Sequence, residues 1–513
     1  MPQTQSALRS RFPLLLFLAF YLFFSLWTFQ DYGATWDETG VYTRGILLSH
    51  HFHHPEWNRL SIKKEADDGL VVYDHLYSYL LSFFNPNADI DLYHFLNLCF
   101  ASLLFIAAFE LLHAKFGSPY WALVGPLFLF FTPRLLGDIP ANPKDVPFAV
   151  GMLVSLWATQ ALHDTKRVHP LLKVLFLGLL FGFTQSLRLL GFELYGLYFL
   201  FQLYKYWESH PKTSRKDWRP WLKETLLDLA IILCVSNILL IATWPYLEVD
   251  YFGHLRELLG QARHFPWYND VLFLGKLVKS TELPIFYLPV WFLITTPLFI
   301  LFLFPLGLKN LFNRKDKKKD LEFMGLLVLT LNALLVVGLR PVLYDGLRHF
   351  IFLLPWLGLL AASGVINLYR KKLFARWKMA GAALIVVNLA LVGTHLFRLH
   401  PYEYVYFNET VGGLKGTSGE FETDYWGASN REAVNWLNAE TRNQPRNFKV
   451  NGRGTPFQFT LFLSPKLAWS ELKDADYYIS TDGALPIPET NGKPAVHGVE
   501  REGVPLNYVF KLK

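Results

Sequence analysis

The chain has 513 residues, 52% of them hydrophobic, and a formal net charge of +7. Its charged residues gather in short clusters between long apolar runs, which is the pattern of a helical membrane protein. Loop Lys and Arg residues set the orientation of such a protein, so the basic excess requires no nucleic-acid partner. The two cysteines, Cys99 and Cys234, fall inside apolar runs, which leaves no disulfide framework.

The first apolar run, residues 12–29, follows Arg9 and Arg11 and lacks a small-residue cleavage site, so we expect a retained helix and not a signal peptide. A run of about 18 to 20 apolar residues can cross the hydrocarbon core as a helix. The sequence predicts about eleven such crossings. They cover residues 12–29, 92–113, 119–136, 146–162, 171–187, 189–206, 224–243, 284–306, 321–339, 350–369 and 379–397.

Basic clusters occur in alternate loops between these crossings. They comprise Lys166 and Arg167; Lys212, Arg215, Lys216 and Arg219; Arg314, Lys315, Lys317, Lys318 and Lys319; and Arg370, Lys371, Lys372 and Arg376. Because positive loops stay cytoplasmic, all four lie on one side if the amino terminus is cytoplasmic. We therefore expect a transmembrane domain over residues 1–397, with a first outer loop at 30–91, and a soluble domain over residues 398–513 on the outer side.

The segment after the last crossing has the pattern of a small α/β domain. An amphipathic helix is predicted around residues 431–437. Strands are predicted at 448–450, 457–463 and 477–480, where aromatic and β-branched residues cluster. We expect this domain to shelter the outer end of the membrane domain.

Two adjacent carboxylates, Asp37 and Glu38, follow the first crossing. Carboxylates at a membrane surface are costly to desolvate, which favours a role in chemistry or ion binding. The alternative is that they only cap a short helix at the start of a solvated loop. The pair alone does not decide between these interpretations.

Several cationic side chains fall at the outer ends of the predicted crossings: Arg134, Lys144, Arg188 and Arg348. A phosphate leaving group needs fixed cations as negative charge develops on it, and a hydroxyl or amine nucleophile needs a carboxylate to take its proton. Glycosyl transfer from a lipid-linked phosphate sugar needs both at the membrane surface. The alternative for each cation is that it only snorkels towards the headgroups.

Several motifs resemble one family, the GT-C glycosyltransferases. The closest likeness is to dolichyl-phosphate-mannose-protein mannosyltransferases and their bacterial relatives, which include lipid A aminoarabinose transferases. The motifs are Asp37-Glu38-Thr39-x-x-Tyr42, Asn142-Pro143-Lys144-Asp145-Val146-Pro147-Phe148, Tyr344-Asp345-Gly346-x-Arg348-His349, His400-Pro401-Tyr402-x-Tyr404-x-Tyr406-Phe407-Asn408 and Glu422-Thr423-Asp424-Tyr425-Trp426-Gly427.

This resemblance implies a polytopic GT-C fold, a polyprenyl-phosphate sugar donor and an inverting single displacement. It assigns the general base to Asp37, with Glu38 as the second catalytic carboxylate. It also implies that basic residues of the next outer loops receive the donor phosphate, and here we expect Lys144, Arg134, Arg348 and Arg188. We expect Tyr42, Asp145, Tyr344 and His349 to position the substrates.

The resemblance also places the protein in a membrane, which we expect to be a bacterial inner membrane with the site facing the periplasm. The expected partners are the lipid-linked donor, a glycan, lipid or protein acceptor, and membrane lipids. No cofactor or metal is expected, because a monophosphate donor does not require a divalent ion. His50, His51, His53 and His54 could bind zinc, although such a stretch is more often a solvated loop.

Two other classes of function are compatible with these features. A transporter for a lipid-linked sugar would have similar crossings, but it would place ionisable residues near mid-bilayer and often show inverted repeats. Alternatively, the chain could be a scaffold subunit of a larger transferase. The sequence does not identify the acceptor or the donor sugar.

Overall fold

The fold is taken from a computed structural model. It describes residues 2–53, 76–210, 217–263, 265, 267–313, 318–370, 378–481, 488–490 and 492–513. The predicted first outer loop at 30–91 is therefore described at residues 30–53 and 76–91, and His54 lies outside the described residues.

Most of the described chain is α-helical. The α-helices are Pro2–Thr28, Trp36–His53, Leu76–Phe84, Ile90–Phe116, Pro119–Ala122, Val124–Phe130, Pro133–Asp138, Asp145–His163, Pro170–Leu187, Glu193–Ser209, Arg219–Thr243, Pro245–Val249, Tyr251–Arg263, Tyr287–Thr295, Leu298–Lys309, Asp320–Leu339, Leu354–Arg370, Lys378–Leu399, Gly413–Thr417, Asn430–Thr441 and Pro456–Thr460. Short 3-10 helices cover Leu189–Phe192, Asn310–Phe312, Arg348–Leu353, Glu403–Val405, Glu409–Val411, Leu472–Asp474 and Pro488–Thr490.

Eight helices in the described chain are long and apolar enough to cross a membrane, or nine if the bent pair Tyr287–Thr295 and Leu298–Phe312 is one span. These are the helices of an integral membrane protein, and they coincide with nine of the predicted crossings. The predicted number, about eleven, is higher because the segments 119–136 and 189–206 form no single helix of that length.

Local sequence explains why these two segments are shorter. In the first, Pro119 and Pro133 each begin a new short helix, since proline fits the first helical turn but cannot continue a preceding one. In the second, a 3-10 turn precedes a 17-residue helix. Both segments still connect the two ends of the bundle.

Ion pairs near the ends of segments 119–136 and 189–206 show that each segment runs from one end of the bundle to the other. At one end of the bundle, Lys115 lies 2.9 Å from Glu322 and Lys205 lies 3.2 Å from Asp320. At the other end, Arg188 pairs with Asp145. The chain therefore returns to the same end of the bundle at each of the loops that carry the predicted site residues.

The bent helix pair turns by 113°. Pro297 lacks an N–H and leaves carbonyl groups of the preceding helix without their usual donors. Asn408 supplies them, because its side-chain amide donates to the carbonyls of Leu293 at 2.6 Å and Thr296 at 2.9 Å. Its backbone N–H donates to Ile294 O at 2.8 Å. A residue beyond the last long helix thus holds a break inside the membrane domain.

The carboxyl-terminal part contains a five-stranded mixed sheet in the order β4-β3-β5-β7-β6. The strands are β3 Phe448–Gly452, β4 Leu467–Trp469, β5 Tyr477–Ser480, β6 Ala495–Arg501 and β7 Val504–Lys511. An antiparallel hairpin, β1 Asp270–Phe273 and β2 Lys276–Lys279, lies earlier in the chain. The helix Asn430–Thr441 packs on the sheet through Ala433, Val434 and Leu437. The small α/β domain that the sequence predicts is therefore present.

The predicted strand at 457–463 is wrong. Residues Pro456–Thr460 form a short helix instead, because Pro456 occupies the first helical position and the Gln458 side chain accepts a hydrogen bond from the Thr455 N–H at 3.0 Å. The apolar residues that favoured a strand face the sheet from this helix, where Phe459 is fully buried and stacks on Trp469.

The sheet domain is fixed to the loop that precedes Asp37. The Gln458 side chain donates to Ala34 O at 3.0 Å, and Arg431 donates to Tyr32 O at 2.9 Å. Gly33 lies so close to Ala428 that an added Cβ would come within 1.9 Å of its carbonyl oxygen. The position of Asp37 therefore depends on both parts of the chain.

Candidate active site

Asp37 and Glu38 occupy the first turn of the helix Trp36–His53 and point in different directions. Consecutive residues on a helix are about 100° apart, so the two side chains cannot share one environment. Glu38 faces the interior of the bundle, and Asp37 faces the end of the domain. The side chain of Asp37 is 21% exposed, whereas that of Glu38 is 0% exposed. Only Asp37 is placed where a substrate can reach it.

Glu38 is held in a closed hydrogen-bond network. Its carboxylate accepts from the Tyr42 hydroxyl at 2.6 Å and from the Thr35 N–H at 2.7 Å, and it lies 3.0 Å from His94 Nε2. Tyr42 in turn stacks on Tyr93, with 3.6 Å between ring centres. Buried carboxylates are tolerated when all their oxygens have donors, which is the case here. Both Glu38 and Tyr42 therefore support the loop and do not face the space around Asp37.

Arg348 forms the main contact of Asp37. Its Nη1 donates to Asp37 Oδ2 at 2.7 Å, and its Nε lies 3.2 Å from Asp345 Oδ2. The guanidinium also lies over two aromatic rings, 5.0 Å from the centre of Tyr344 and 5.6 Å from that of Trp426. The charge-assisted hydrogen bond to Asp37, the ion pair with Asp345 and the ring contacts together fix the planar group in place.

Asp345 reaches Arg348 because of an unusual turn. Asp345 and Gly346 both have positive φ, 55° and 69°, and the Gly346 N–H donates to the Tyr287 hydroxyl at 3.0 Å. Asp tolerates the left-handed region better than most residues with a side chain. The prediction from sequence gave Asp345 no role, although Asp345 lies within the motif that contains Arg348.

Lys144 approaches the other oxygen of Asp37. Its Nζ lies 3.9 Å from Asp37 Oδ1. The Asn142 side chain accepts hydrogen bonds from the backbone N–H groups of Lys144 at 3.3 Å and Asp145 at 2.8 Å. This Asx-type turn, together with the neighbouring prolines, starts the helix Asp145–His163 and directs Lys144 towards Asp37. The predicted proline-rich loop therefore does hold its lysine at a fixed place.

Arg188 and Asp145 form an ion pair with each other. Arg188 ends the helix Pro170–Leu187, and Asp145 begins the next helix in space, so the pair joins two helix ends. Asn142 also donates to Asp145 at 3.2 Å. Arg188 is near enough to Asp37 to influence its charge, but its direct partner is Asp145.

Arg134 lies apart from Asp37, in an aromatic cage. Its guanidinium carbon is 5.1 Å from the ring centre of Trp291 and 5.6 Å from that of Phe407, and Nη1 donates to the Tyr425 hydroxyl at 3.4 Å. Its Nε and Nη2 have no hydrogen-bond partner among the described residues. Arg134 is therefore a buried cation with unused donors and does not contact Asp37.

Asp138, which the sequence analysis did not select, lies four residues beyond Arg134 on the same short helix. It is fully buried, and neither carboxylate oxygen has a hydrogen-bond partner in the described part of the chain. Burial raises the pKa of Asp138 to about 7, although the positive charges of Arg134 and Arg348 act in the opposite direction. A lone Asp in a proline-rich loop gave no signal of this burial.

Tyr344 and His349 lie beside Arg348. Tyr344 stacks on Trp267, with 4.3 Å between ring centres, and the His349 ring meets its edge at 4.6 Å. Trp267 precedes the hairpin of β1 and β2, whose Phe273 is paired with Phe421. An aromatic wall from three parts of the chain therefore borders the guanidinium of Arg348.

The charges around Asp37 determine its protonation. Burial raises the pKa of Asp37, but the positive charges of Arg348, Lys144, Arg44 and Arg188 outweigh this effect and hold the pKa well below its usual range. Burial raises the pKa of Asp345, and the negative charge of Asp37 adds to this, against the opposing effect of Arg348. The cluster is thus one ionised carboxylate among cations, with a second carboxyl group that ionises less readily.

The described residues contain no group of three or more His, Cys, Asp or Glu side chains that could hold a metal ion. Of the histidines singled out as a possible zinc site, His51 lies 3.1 Å from Glu248. His54 lies outside the described residues.

The sequence matches no family profile and no curated protein. Comparison with solved structures shows that the chain has the GT-C membrane fold, as the sequence resemblance implied. The likeness is to ArnT from Cupriavidus metallidurans bound to undecaprenyl phosphate, with a TM-score of 0.53, 12% identity and 97% of each chain covered.

The same protein in its apo state gives a TM-score of 0.51 at 11% identity, again over 97% of each chain. The archaeal oligosaccharyltransferase AglB from Archaeoglobus fulgidus, in complex with an inhibitory peptide and a dolichol-phosphate, gives a TM-score of 0.41 at 12% identity, over 80% of this chain and 61% of its own.

Proposed function

We propose that this chain is an inverting glycosyltransferase that moves a sugar from a polyprenyl-phosphate donor to an acceptor on the outer, periplasmic face of a bacterial inner membrane. The observation that supports this most directly is the convergence of Asp37, Lys144 and Arg348 from three separate loops at one end of the membrane domain. A carboxylate beside fixed cations is what glycosyl transfer from a lipid phosphate needs.

The cations serve the leaving group in this proposal. As the bond between the anomeric carbon and the phosphate oxygen breaks, negative charge grows on the phosphate. Lys144 and Arg348 are already placed and partly shielded from water, so they stabilise this charge without reorganising. Arg348 presents a planar group suited to two phosphate oxygens, whereas Lys144 presents a single charge.

In this proposal Asp37 takes the proton of the acceptor. The acceptor oxygen or nitrogen attacks the anomeric carbon from the face opposite to the phosphate, forms the new glycosidic bond and transfers its proton to Asp37. The phosphate leaves on its lipid with the bonding electron pair, so the configuration at the anomeric carbon is inverted. Of the two adjacent carboxylates, Asp37 suits this role because Glu38 is enclosed by Tyr42, His94 and Thr35.

The other predicted site residues have supporting roles in this scheme. Asp145 and Arg188 fix the helix ends on either side of Lys144, and Tyr344 and His349 border Arg348. Arg134 lies in its aromatic cage beside Tyr425, where it contributes positive charge at longer range. With the domain boundary that we propose near residue 397, these groups belong to the membrane part.

The assay that tests the proposal uses the purified full-length chain in nanodiscs with a panel of polyprenyl-phosphate sugars. Release of the lipid phosphate together with loss of the sugar from the lipid supports a transferase, and Asp37→Asn serves as the inactive control. A transporter would move a lipid-linked sugar across the bilayer with its glycosidic bond intact. That result, with no bond cleavage for any donor or acceptor preparation, would overturn the proposal.

A further inference from the structure

The carboxylate and the cations of this site are paired with each other in the structure. Arg348 Nη1 is 2.7 Å from one oxygen of Asp37, and Lys144 Nζ is 3.9 Å from the other. In the proposed reaction the same two cations bind the donor phosphate. They cannot make their closest contacts with Asp37 and with a phosphate at the same time.

The ion pairs also make Asp37 a weak base. An opposite charge within about 4 to 6 Å lowers the pKa of a carboxyl group, and here two cations are that close or closer. A general base is most effective when its pKa lies near the working pH. While it is paired with these cations, therefore, Asp37 is ionised but poorly suited to accept the proton of an acceptor.

We infer that the donor phosphate competes with Asp37 for Arg348 and Lys144, so that donor binding releases Asp37 and turns it into an effective base. This inference rests on the proposed function and adds an order to it: the donor binds before the acceptor can react. Without donor, the carboxylate remains paired and cannot activate water or an acceptor.

The structure shows how the exchange can occur with small movements. Arg348 keeps a second partner, because its Nε faces Asp345 at 3.2 Å and its plane lies over Tyr344. The guanidinium can therefore stay in place while Nη1 changes its partner from Asp37 to phosphate. Lys144, at 3.9 Å, needs only a rotation of its flexible stem.

The charged groups that face Asp37 come from each element packed around it. They are Arg44 on its own helix, Lys144 and Arg188 at neighbouring helix ends, and Arg348 with Asp345 on the turn before Leu354–Arg370. A bound phosphate adds negative charge to this set, so the cations remain balanced after Asp37 loses its direct contacts.

The test measures binding and needs no transfer. Affinity for undecaprenyl phosphate is determined for the full-length wild type, Asp37→Asn and Lys144→Ala in nanodiscs. Asp37→Asn keeps the size of the side chain but no longer competes for the cations, so we expect about 10-fold tighter binding, while Lys144→Ala binds more weakly. If Asp37 only capped its helix, Asp37→Asn would not increase the affinity.

The matched control is Glu110→Gln, which removes an ion-paired carboxylate whose partner, Arg11, lies near the opposite end of the bundle. Its affinity should equal that of the wild type. Asp37→Ser provides a second uncharged variant in case Asp37→Asn folds poorly, and its affinity should rise in the same way.

Equal or weaker binding by folded Asp37→Asn and Asp37→Ser would overturn the inference, as would the absence of binding by every variant. These binding results are distinct from the transfer assay, which tests the proposed function. If no donor in the panel is cleaved but Asp37→Asn binds undecaprenyl phosphate more tightly, the competition holds and the transferase assignment does not.

Discussion

The carboxylate of Glu38 lies 3.0 Å from Nε2 of His94, and both side chains are completely shielded from solvent. This contact joins the helix that carries Asp37 to the long helix Ile90–Phe116. The neighbouring Asp37 makes no such contact and faces Arg348 and Lys144 instead. Two consecutive carboxylates thus serve different purposes, one in the core of the domain and one at its end.

Replacing each carboxylate by its amide should separate the role proposed for Asp37 in catalysis from the role of Glu38 in stability. Asp37→Asn removes basicity and keeps shape, so we expect sugar transfer to fall by about 10²-fold or more with an unchanged melting temperature. Glu38→Gln places an amide N–H₂ among the donors of Tyr42 and Thr35, which costs about 1 to 3 kcal/mol of stability.

Single-turnover transfer and thermal unfolding of both variants, measured in the same nanodiscs, check this pair of expectations. The reverse ranking, in which Glu38→Gln is stable but inactive and Asp37→Asn is active, would assign the base to Glu38.

Two substitutions at Lys144 separate the effect of its positive charge from the effect of its shape. Lys144→Ala should weaken donor binding and slow transfer, because one of the two cations nearest to Asp37 is lost. Lys144→Arg should retain part of the activity, since it keeps the charge with a different shape. Donor affinity and turnover are measured for both, with the exposed Lys276→Ala as control. If Lys144→Ala matches the wild type, Lys144 only snorkels.

Asp138 should make stability depend on pH. In the folded chain burial raises the pKa of Asp138 to about 7, whereas in the unfolded chain it is ordinary, about 4. Between these values the folded state binds more protons than the unfolded state, so stability falls as pH rises from about 4 to 7. Asp138→Asn cannot ionise, so its stability should not fall in this way as the pH rises.

The melting temperature of Asp138→Asn should therefore exceed that of the wild type by about 2 to 4 °C or more at pH 8, and the difference should shrink at pH 4.5. Thermal unfolding at the two pH values measures this, with the exposed Asp474→Asn as control. A difference of the same size at both pH values would show that Asp138 acts through packing and not through ionisation.

Labelling of single cysteines tests the orientation. In a variant without Cys99 and Cys234, a cysteine in place of Lys315 should react with an impermeant reagent only from the cytoplasm, and one in place of the exposed Lys473 only from outside. The unlabelled parent variant controls for background. Reaction of both cysteines from the same side would contradict the odd number of passes.

The long helices could be predicted because length and hydrophobicity alone decide whether a segment spans a bilayer. The broken passes could not be counted in the same way. In the run 119–136, for example, the apolar helix ends at Phe130 and Pro133 begins a new one, so no single helix of the run is long enough to cross. Residues 457–463 show the same limit on a smaller scale. There a helix start at Pro456 overrides an apolar pattern that favours a strand.

The site shows a different limit. Motif positions selected Asp37, Lys144 and Arg348, which the structure brings together. They ranked Asp37 ahead of Glu38 but did not reveal that Glu38 is enclosed, because that depends on which side of a single helical turn faces His94. Nor did they reveal the buried Asp138, since burial of an isolated Asp follows from the packing of distant segments.

The carboxyl-terminal region cannot be treated as an interchangeable module. The guanidinium of Arg348 lies over the ring of Trp426, and Arg134 donates a hydrogen bond to the Tyr425 hydroxyl. Asn408 donates to carbonyls at the helix break before Pro297. Three residues after the last long helix thus complete the membrane part. A chimera that joins residues 1–399 to the tail of another protein would lose all of these contacts at once. An exchange that is meant to preserve the site therefore has to keep residues 400–430 together with the helices that they contact.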